Sequence, residues 1–362
     1  MTSSNGLRRR AVAALRRLAA LLGCILALAI APTPAHAAWY SREAAIMDTR
    51  IYVELWDTDP KHANAAIDAV MAEMHHVDDV MSDFKPNSEL SQINEHAAQH
   101  PVAVSPELYD LIKLSTHYSR MTDGAFDITV ESVWRLYHFR QHIHPTDAQI
   151  EALLPTVGWR QLLLDDRHHS VRFARPGMAI GLGGIGKGYA VDRSIDILKA
   201  RGIEHALVTA GGDTRILGDR RGRPWMVAIR DPWDLSKIVT LMPLSNEAIS
   251  TSGDYYRGFV QHGVLYDHIL SPFTGHSAQL VRSASVIAPT ATQTDGMSKT
   301  AFVLGPEKTL AIIDSLPQYD AVFICPDGRV VYSKGIAPPP GAPAPAPAPE
   351  SPLALHRSAS SQ

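Results

Sequence analysis

Ile180-Gly-Leu-Gly-Gly-Ile-Gly-Lys-Gly-Tyr-Ala-Val-Asp192 decides how this chain is read. Gly181, Gly183, Gly184, Gly186 and Gly188 crowd one short apolar segment, with the single cation Lys187 among them. Val191, Ser194, Ile195 and Leu198 follow at helical spacing, and Gly202 is a stop signal. Glycines here let backbone approach a ligand closely, and they free N–H groups where a helix begins, a natural place for phosphate. A tight strand-to-helix turn with no ligand has the same composition. Gly188 follows Lys187, so this is not a Walker A loop, and the segment does not read as a dinucleotide fingerprint of the G-x-G-x-x-G type, which belongs inside a βαβ unit. Both familiar parallel-sheet phosphate folds are therefore set aside.

The neighbouring segments point to α+β. Met47–Trp56 reads as a strand, and His62–Phe84 as an amphipathic helix with Ile67, Val70, Met71, Met74, Val77 and Met81 on one face. Ser105-Pro106 opens a second helix that buries Leu108, Leu111, Ile112 and Ser115. Strand-like runs follow at 161–164, 170–173, 206–209, 225–229, 238–241, 284–288, 321–324 and 330–332. Turns such as Pro326-Asp327-Gly328 join several of them, which favours antiparallel pairing. Helices stand between groups of strands instead of alternating with them, as α+β folds require.

Composition bounds the function. The 362 residues are 45% hydrophobic and 20% charged, as in a soluble globular protein, and the net charge of −3 argues against a nucleic-acid binder. Arg8, Arg9, Arg10, Arg16 and Arg17 precede the apolar run Leu18–Ala31, and Ala35-His36-Ala37 offers a cleavage site. This pattern is a signal peptide over 1–37, and it places the mature chain outside the cytoplasm, in a bacterial periplasm. A lipid anchor at Cys24 and a twin-arginine route through Arg16-Arg17 are the competing variants, and the membrane enters only through this leader. One folded domain is expected over 38–335, followed by a Pro/Ala-rich disordered tail over 336–362. The mature chain keeps one thiol, Cys325.

Several segments carry candidate chemistry. Phe126 and Asp127 follow the Asp123-Gly124 turn and could stack on and bond a heterocycle, or Asp127 could simply cap the next element. Gly211-Gly212-Asp213 is a backbone approach point or a turn, and Ser250–Tyr255 offers hydroxyls near a glycine. His268 lies in a strand-like run and could take a hydroxyl proton. Asp295, Ser298 and Thr300 could offer oxygens to Mg²⁺, or Asp295 could be a helix N-cap. His138, His142 and His144 lack accompanying cysteines and read as a solvated loop.

In order along the chain, these segments resemble the ApbE family of FAD:protein FMN transferases. The matching blocks are Met47-Asp-Thr49 on the first strand, Met81–Leu90, Gly124-Ala-Phe-Asp127, Leu182–Asp192, Gly211-Gly212, Ser250–Asp254, His268 through Gly275, and Asp295 through Glu307. The resemblance implies a two-lobed, T-fold-like α+β architecture with mostly antiparallel sheets and packed helices. It implies an enzyme that moves FMN from FAD, as a phosphoester, onto a Ser or Thr hydroxyl of an exported or membrane redox protein, releasing AMP with Mg²⁺ at the pyrophosphate. Met47, Phe84, Ala125, Phe126, Asp127, Lys187 and His268 would contact FAD. Asp295 and the carbonyl of Gly184 would hold the metal with Ser298 and Thr300 beside them, and His268 or Asp295 would serve as base. Two positions depart from the family pattern: Gly181 stands where an Asp contacts FAD, and Lys299 stands where a Thr or Ser follows the metal Asp. These departures leave two alternatives, an FAD-binding protein or pyrophosphatase without a protein acceptor, and a catalytically silent homologue.

Overall fold

Met47 and Asp48 form the turn that starts the sheet. Both have φ of 53°, as a two-residue type I′ hairpin turn requires. They join β1 (Ala38–Ile46) to β2 (Thr49–Asp57) in antiparallel register, with Ile46 opposite Thr49. Met47 is thus in a turn rather than on a strand, and β1 is a strand that the sequence pattern did not reveal. The computed structural model describes residues 37–254 and 258–336. Residues 1–36 of the signal peptide and all of the tail beyond Ile336 lie outside the described residues, as does Tyr255.

Along the chain come helix α1 (Pro60–Met81), α2 (Glu89–His96), β3 (Val102–Ala103), α3 (Pro106–Met121), α4 (Glu131–Trp134), α5 (Asp147–Leu153), β4 (Leu162–Asp165) and β5 (Ser170–Phe173). Then follow α6 (Gly186–Ala200), β6 (Ala206–Ala210), β7 (Asp213–Leu217), β8 (Trp225–Arg230), β9 (Ile238–Leu244) and β10 (Ala248–Gly253). The described chain closes with β11 (Gly258–Gln261), β12 (Val264–Asp267), β13 (Ser283–Ala288), α7 (Ala291–Ser298), α8 (Thr300–Leu304), α9 (Pro306–Ile313), β14 (Asp320–Ile324) and β15 (Val330–Tyr332). Eight strands make one sheet in the order β1-β2-β6-β7-β10-β13-β14-β15, every neighbouring pair antiparallel. The fold is α+β.

Two-residue periodicity gives this sheet two apolar faces. Ile51, Val53 and Leu55 of β2, Val208 of β6, and Ala321 and Phe323 of β14 join a core with α1, α3 and α6. The alternate residues Ile216, Ile249, Val322 and Ile324 pack on the other face against Trp225, Ile229, Met242 and Leu244 of the β8–β9 hairpin. Ile336 also packs there. Val133, Tyr137, Ile150 and Leu270 form a separate apolar cluster, with Trp134 and Tyr266 packed against it. Among the described residues, no helix is long and apolar enough to cross a membrane.

The long helices obey their sequence signals. Asp59 caps α1 by accepting the Lys61 N–H, with Pro60 in the first turn, and Ile67, Val70, Met74, Val77 and Met81 are buried. The helix ends at Met81 rather than Phe84, because Ser82 turns the backbone extended. The four inward residues expected for α3 are all buried, under a Ser105 cap.

Candidate functional site

The glycine-rich stretch is a loop over 179–185 that leads into α6, and other elements hold it by its backbone. Asn94 accepts from the Ile180 N–H at 2.8 Å and donates to the Ile180 carbonyl at 2.9 Å. Ser132 Oγ accepts from the Ala179 N–H at 2.9 Å, and the Gly181 N–H donates to the Ile128 carbonyl at 3.0 Å. No side chain caps α6 at Ile185; in its first turn the Gly186 N–H donates to the Leu182 carbonyl at 2.7 Å and the Gly188 N–H to Asp295 at 3.1 Å.

Gly188 brings α6 against α7. A Cβ there would meet the Ala291 carbonyl oxygen at 2.2 Å and Asp295 Cβ at 2.8 Å, so only glycine permits this approach. Asp192, one turn further along α6, accepts the Ala291 and Thr292 N–H groups, both at 2.8 Å, at the start of α7. Arg215 of β7 pairs with the same carboxylate at 2.8 Å. Asp192 therefore fixes the position of α7 and of the Asp295 it carries. Thr290, not Asp295, is the N-cap of α7, in a capping box with Gln293. Asp295 is a mid-helix residue.

Two carboxylates and two ammonium groups meet at this junction. Lys187 Nζ lies 3.2 Å from Asp213 Oδ2, 3.6 Å from Asp295 Oδ2 and 3.2 Å from the Gly183 carbonyl. Lys299 Nζ donates to the Asp295 carbonyl at 3.0 Å and to Asp295 Oδ1. The Gly188 N–H donates to Asp295 Oδ2 at 3.1 Å. The side chains of Asp213 and Asp295 are 4% and 0% exposed, those of Lys187 and Lys299 26% and 18%. Solvent thus reaches the cluster through its cations, and an arriving anion meets ammonium groups. Burial opposes the charge on Asp295, yet Lys187, Lys299 and the Gly188 N–H outweigh it and hold the carboxyl below its ordinary range. Burial, with the neighbouring Asp295 charge, pushes Asp213 up. Asp213 is a member that sequence reasoning missed. Gly211-Gly212 is the tight turn between β6 and β7, with Gly211 at φ 62°, and Asp213 opens β7 directly after it.

The hydroxyls of Ser250 and Ser252 are not presented to a ligand. Both residues lie on β10 inside the sheet, and their hydroxyls meet Thr294 at 2.6 Å and Ser298 at 2.8 Å. Ser298 also donates to the Asp295 carbonyl at 3.1 Å. Thr300 Oγ1 is buried without a partner.

At the other end of the glycine loop stands a second acidic pair. A Cβ on Gly181 would lie 2.4 Å from Glu131 Oε2, so the Glu131 carboxyl fills the space beside Gly181. Burial and then the Asp83 charge push Glu131 well above the ordinary carboxylate range, and burial raises Asp83 too. Asp83 and Glu131 thus titrate as a pair, in which charge on one opposes charge on the other. Glu131 begins the helix of Trp134, whose ring meets Phe84 edge-on at 6.4 Å between centroids. Trp134 Nε1 donates to the His268 carbonyl at 2.9 Å, and His268 sits half-buried, one residue past β12. Phe84, 76% exposed, is an aromatic face open to solvent.

Ala125 and Phe126 are buried, and the Phe126 ring edge lies 3.3 Å from where a Cβ on Gly184 would be. Asp127 is also buried and acts as a cap. Its Oδ1 accepts the Thr129 N–H at 2.9 Å and the hydroxyl at 2.6 Å, and its Oδ2 accepts the Trp159 N–H at 2.7 Å. Met47 packs partly against the main core from its hairpin turn, and Arg140 pairs with the adjacent Asp48 at 2.7 Å. His142 and His144 stack on Phe259 and Tyr266 at 5.2 and 4.1 Å.

The sequence profile of the ApbE family matches residues 47–323, which include every residue of both clusters. The chain belongs to the ApbE family. It is 32% identical over 317 residues to the FAD:protein FMN transferase of Treponema pallidum, spanning 82% of this chain and 87% of that one. It is 33% identical over 264 residues to that of Vibrio cholerae, spanning 71% and 78%. The crystal structure of the ApbE protein from Thermotoga maritima superposes with a TM-score of 0.77 at 31% identity, covering 82% of this chain and 98% of that one. The flavin transferase ApbE from Vibrio cholerae superposes with a TM-score of 0.73 at 27% identity, covering 82% and 96%. The chain therefore shares the fold of these ApbE structures over 82% of its length.

Proposed function

We propose that this chain is an FAD:protein FMN transferase that takes the FMN half of FAD and places it on a Ser or Thr hydroxyl of an exported redox protein. The observation that carries this reading is the pair of ammonium groups that covers two buried carboxylates at the mouth of a glycine loop. Such a mouth accepts a pyrophosphate: the glycine loop lets backbone approach the phosphates closely, and Lys187 and Lys299 supply positive charge. Phe84 and Trp134 at the other end of the loop offer ring faces for the isoalloxazine.

Transfer requires the acceptor hydroxyl oxygen to attack the flavin-side phosphorus. The new P–O bond forms as the bond to the AMP oxygen breaks, and AMP leaves with the electron pair. Charge neutralisation and positioning carry most of such a reaction. His268 takes the hydroxyl proton, since both oxygens of Asp295 are already engaged. Lys187, anchored by Asp213, Asp295 and Gly183, steadies the charge on the departing phosphate. The leader pattern over 1–37 supports action outside the cytoplasm.

The residues expected to bind Mg²⁺ do not fit that ion here. Mg²⁺ demands about six oxygens in near-octahedral array. Asp295 Oδ1 is taken by Lys299 and Oδ2 by the Gly188 N–H, and Ser298 is bonded to Ser252 and to the Asp295 carbonyl. Thr300, five residues after Asp295, is rotated about 140° from it around a helix. The Gly184 carbonyl, which accepts no hydrogen bond among the described residues, and the partnerless Thr300 hydroxyl are two neutral oxygens, and without a free carboxylate they do not make a coordination set.

Incubation with FAD and the acceptor of the Vibrio cholerae relative tests the proposal. Covalent in-gel flavin fluorescence on the acceptor, with one AMP released per flavin, is expected. Free FMN and AMP without labelled protein would replace the proposal with FAD hydrolysis, and bound FAD without turnover would make the chain a silent homologue.

A further inference from the structure

Lys299 is placed with unusual care for a partly exposed lysine. It stands four residues after Asp295, about 40° away on the same helical face. Its ammonium holds both the Asp295 carbonyl and Oδ1, which uses two of its three donors and leaves one for an anionic oxygen. It is also the C-cap of α7, where the negative end of the helix favours a cation. With Lys187 opposite, two positive charges face two carboxylates, so the cluster holds no surplus negative charge to draw in a divalent ion.

We infer that the Lys299 ammonium is the built-in counter-charge of this site, standing on Asp295 where a divalent cation would otherwise bind, so that the chain neutralises a pyrophosphate without a metal ion. The inference rests on the reading of the glycine loop as the FAD pyrophosphate site. Lys299 and Lys187 then flank the phosphates from two elements, α7 and α6, whose separation is fixed by Gly188 and Asp192.

Mn²⁺, read by electron paramagnetic resonance, is the probe. The wild-type chain should bind it weakly, and Lys299→Ala should bind it at least tenfold more tightly, because removal of the ammonium frees Oδ1. Lys299→Arg, which keeps the charge, should bind as weakly as wild type. In the transfer assay the wild type should keep its rate in EDTA, whereas Lys299→Ala should lose it there and regain it with Mg²⁺. Equal Mn²⁺ affinity in wild type and Lys299→Ala would overturn the inference, as would a wild-type rate abolished by EDTA and restored by Mg²⁺. The wild-type measurements need no variant to fold. Should the wild type label no acceptor under either condition, the transferase reading fails, and the Mn²⁺ comparison still decides the role of Lys299.

Discussion

Gly188→Ala perturbs the junction on which the site depends. The added methyl would stand 2.2 Å from the Ala291 carbonyl oxygen and 2.6 Å from its carbon, where ordinary contact begins at 3.4 Å. Both obstacles are backbone, so no rotamer relieves them, and α6 and α7 must separate by about 1 Å in a packed interior. Overpacking of this kind costs about 1–3 kcal/mol, or a fall in Tm of about 2–12 °C for a chain of this size. The same movement pulls Asp295 away from the Gly188 N–H at 3.1 Å and from Lys187 at 3.6 Å. A misplacement of about 1 Å can cost about a hundredfold in rate. Thermal denaturation and the initial rate of acceptor flavinylation, measured side by side, check both effects. Gly183→Ala is the control for stability, since its Cβ would meet nothing within 4 Å. A Gly188→Ala protein with wild-type Tm and wild-type rate would refute the reasoning.

Other perturbations separate further parts of the account. Gly181→Asp should destabilise by roughly 2 kcal/mol or more in urea denaturation, since its Cβ would clash with Glu131 and its charge would join the Asp83–Glu131 pair; unchanged stability would show that Glu131 does not fill that space. Asp192→Asn should cost about 1–2 kcal/mol and slow transfer, because it weakens the cap of α7 and the Arg215 pair; a variant that lost stability but kept its rate would remove Asp192 as a positioning residue. Phe84→Ala should leave stability within about 0.5 kcal/mol and weaken FAD binding in a fluorescence titration, given an exposed ring that does not join the core. Asp267 is fully buried, and burial raises its carboxyl to about 8. The unfolded chain releases this proton near pH 4 and the folded one only near pH 8, so this group's contribution to stability falls as pH rises through that window. In urea denaturation at successive pH values, Asp267→Asn should gain on the wild type as pH rises from 4 to 8, and a constant difference would contradict the assigned shift.

How far the sequence reveals this molecule depends on where each partner lies. α1, α3 and most sheet strands follow from apolar periodicity, because each buries a face that its own residues define. β10 is hidden because Ser250 and Ser252 face inward and are satisfied by hydroxyls of α7 rather than by apolar contact. β11 and β12 are joined at His262-Gly263, both with positive φ, and each strand is only four residues long, too short for a clear alternation. The glycine loop, Lys187 and Asp295 are visible through the ordered motifs of the ApbE family. Asp213, Glu131 and Asp192 are not, since their roles come from contacts across the fold; the Gly188–Asp295 bond alone joins residues 107 apart. The resemblance identifies Lys299 as a departure, and only the structure shows its ammonium seated on Asp295.

The most direct test of the proposed transferase is denaturing electrophoresis of the acceptor after incubation with the wild-type chain and FAD, with EDTA in one sample and Mg²⁺ in the other. A flavin-fluorescent acceptor band of equal intensity in both, with AMP released in step, is the predicted result. An acceptor that stays dark in both samples while FAD remains intact would contradict the account.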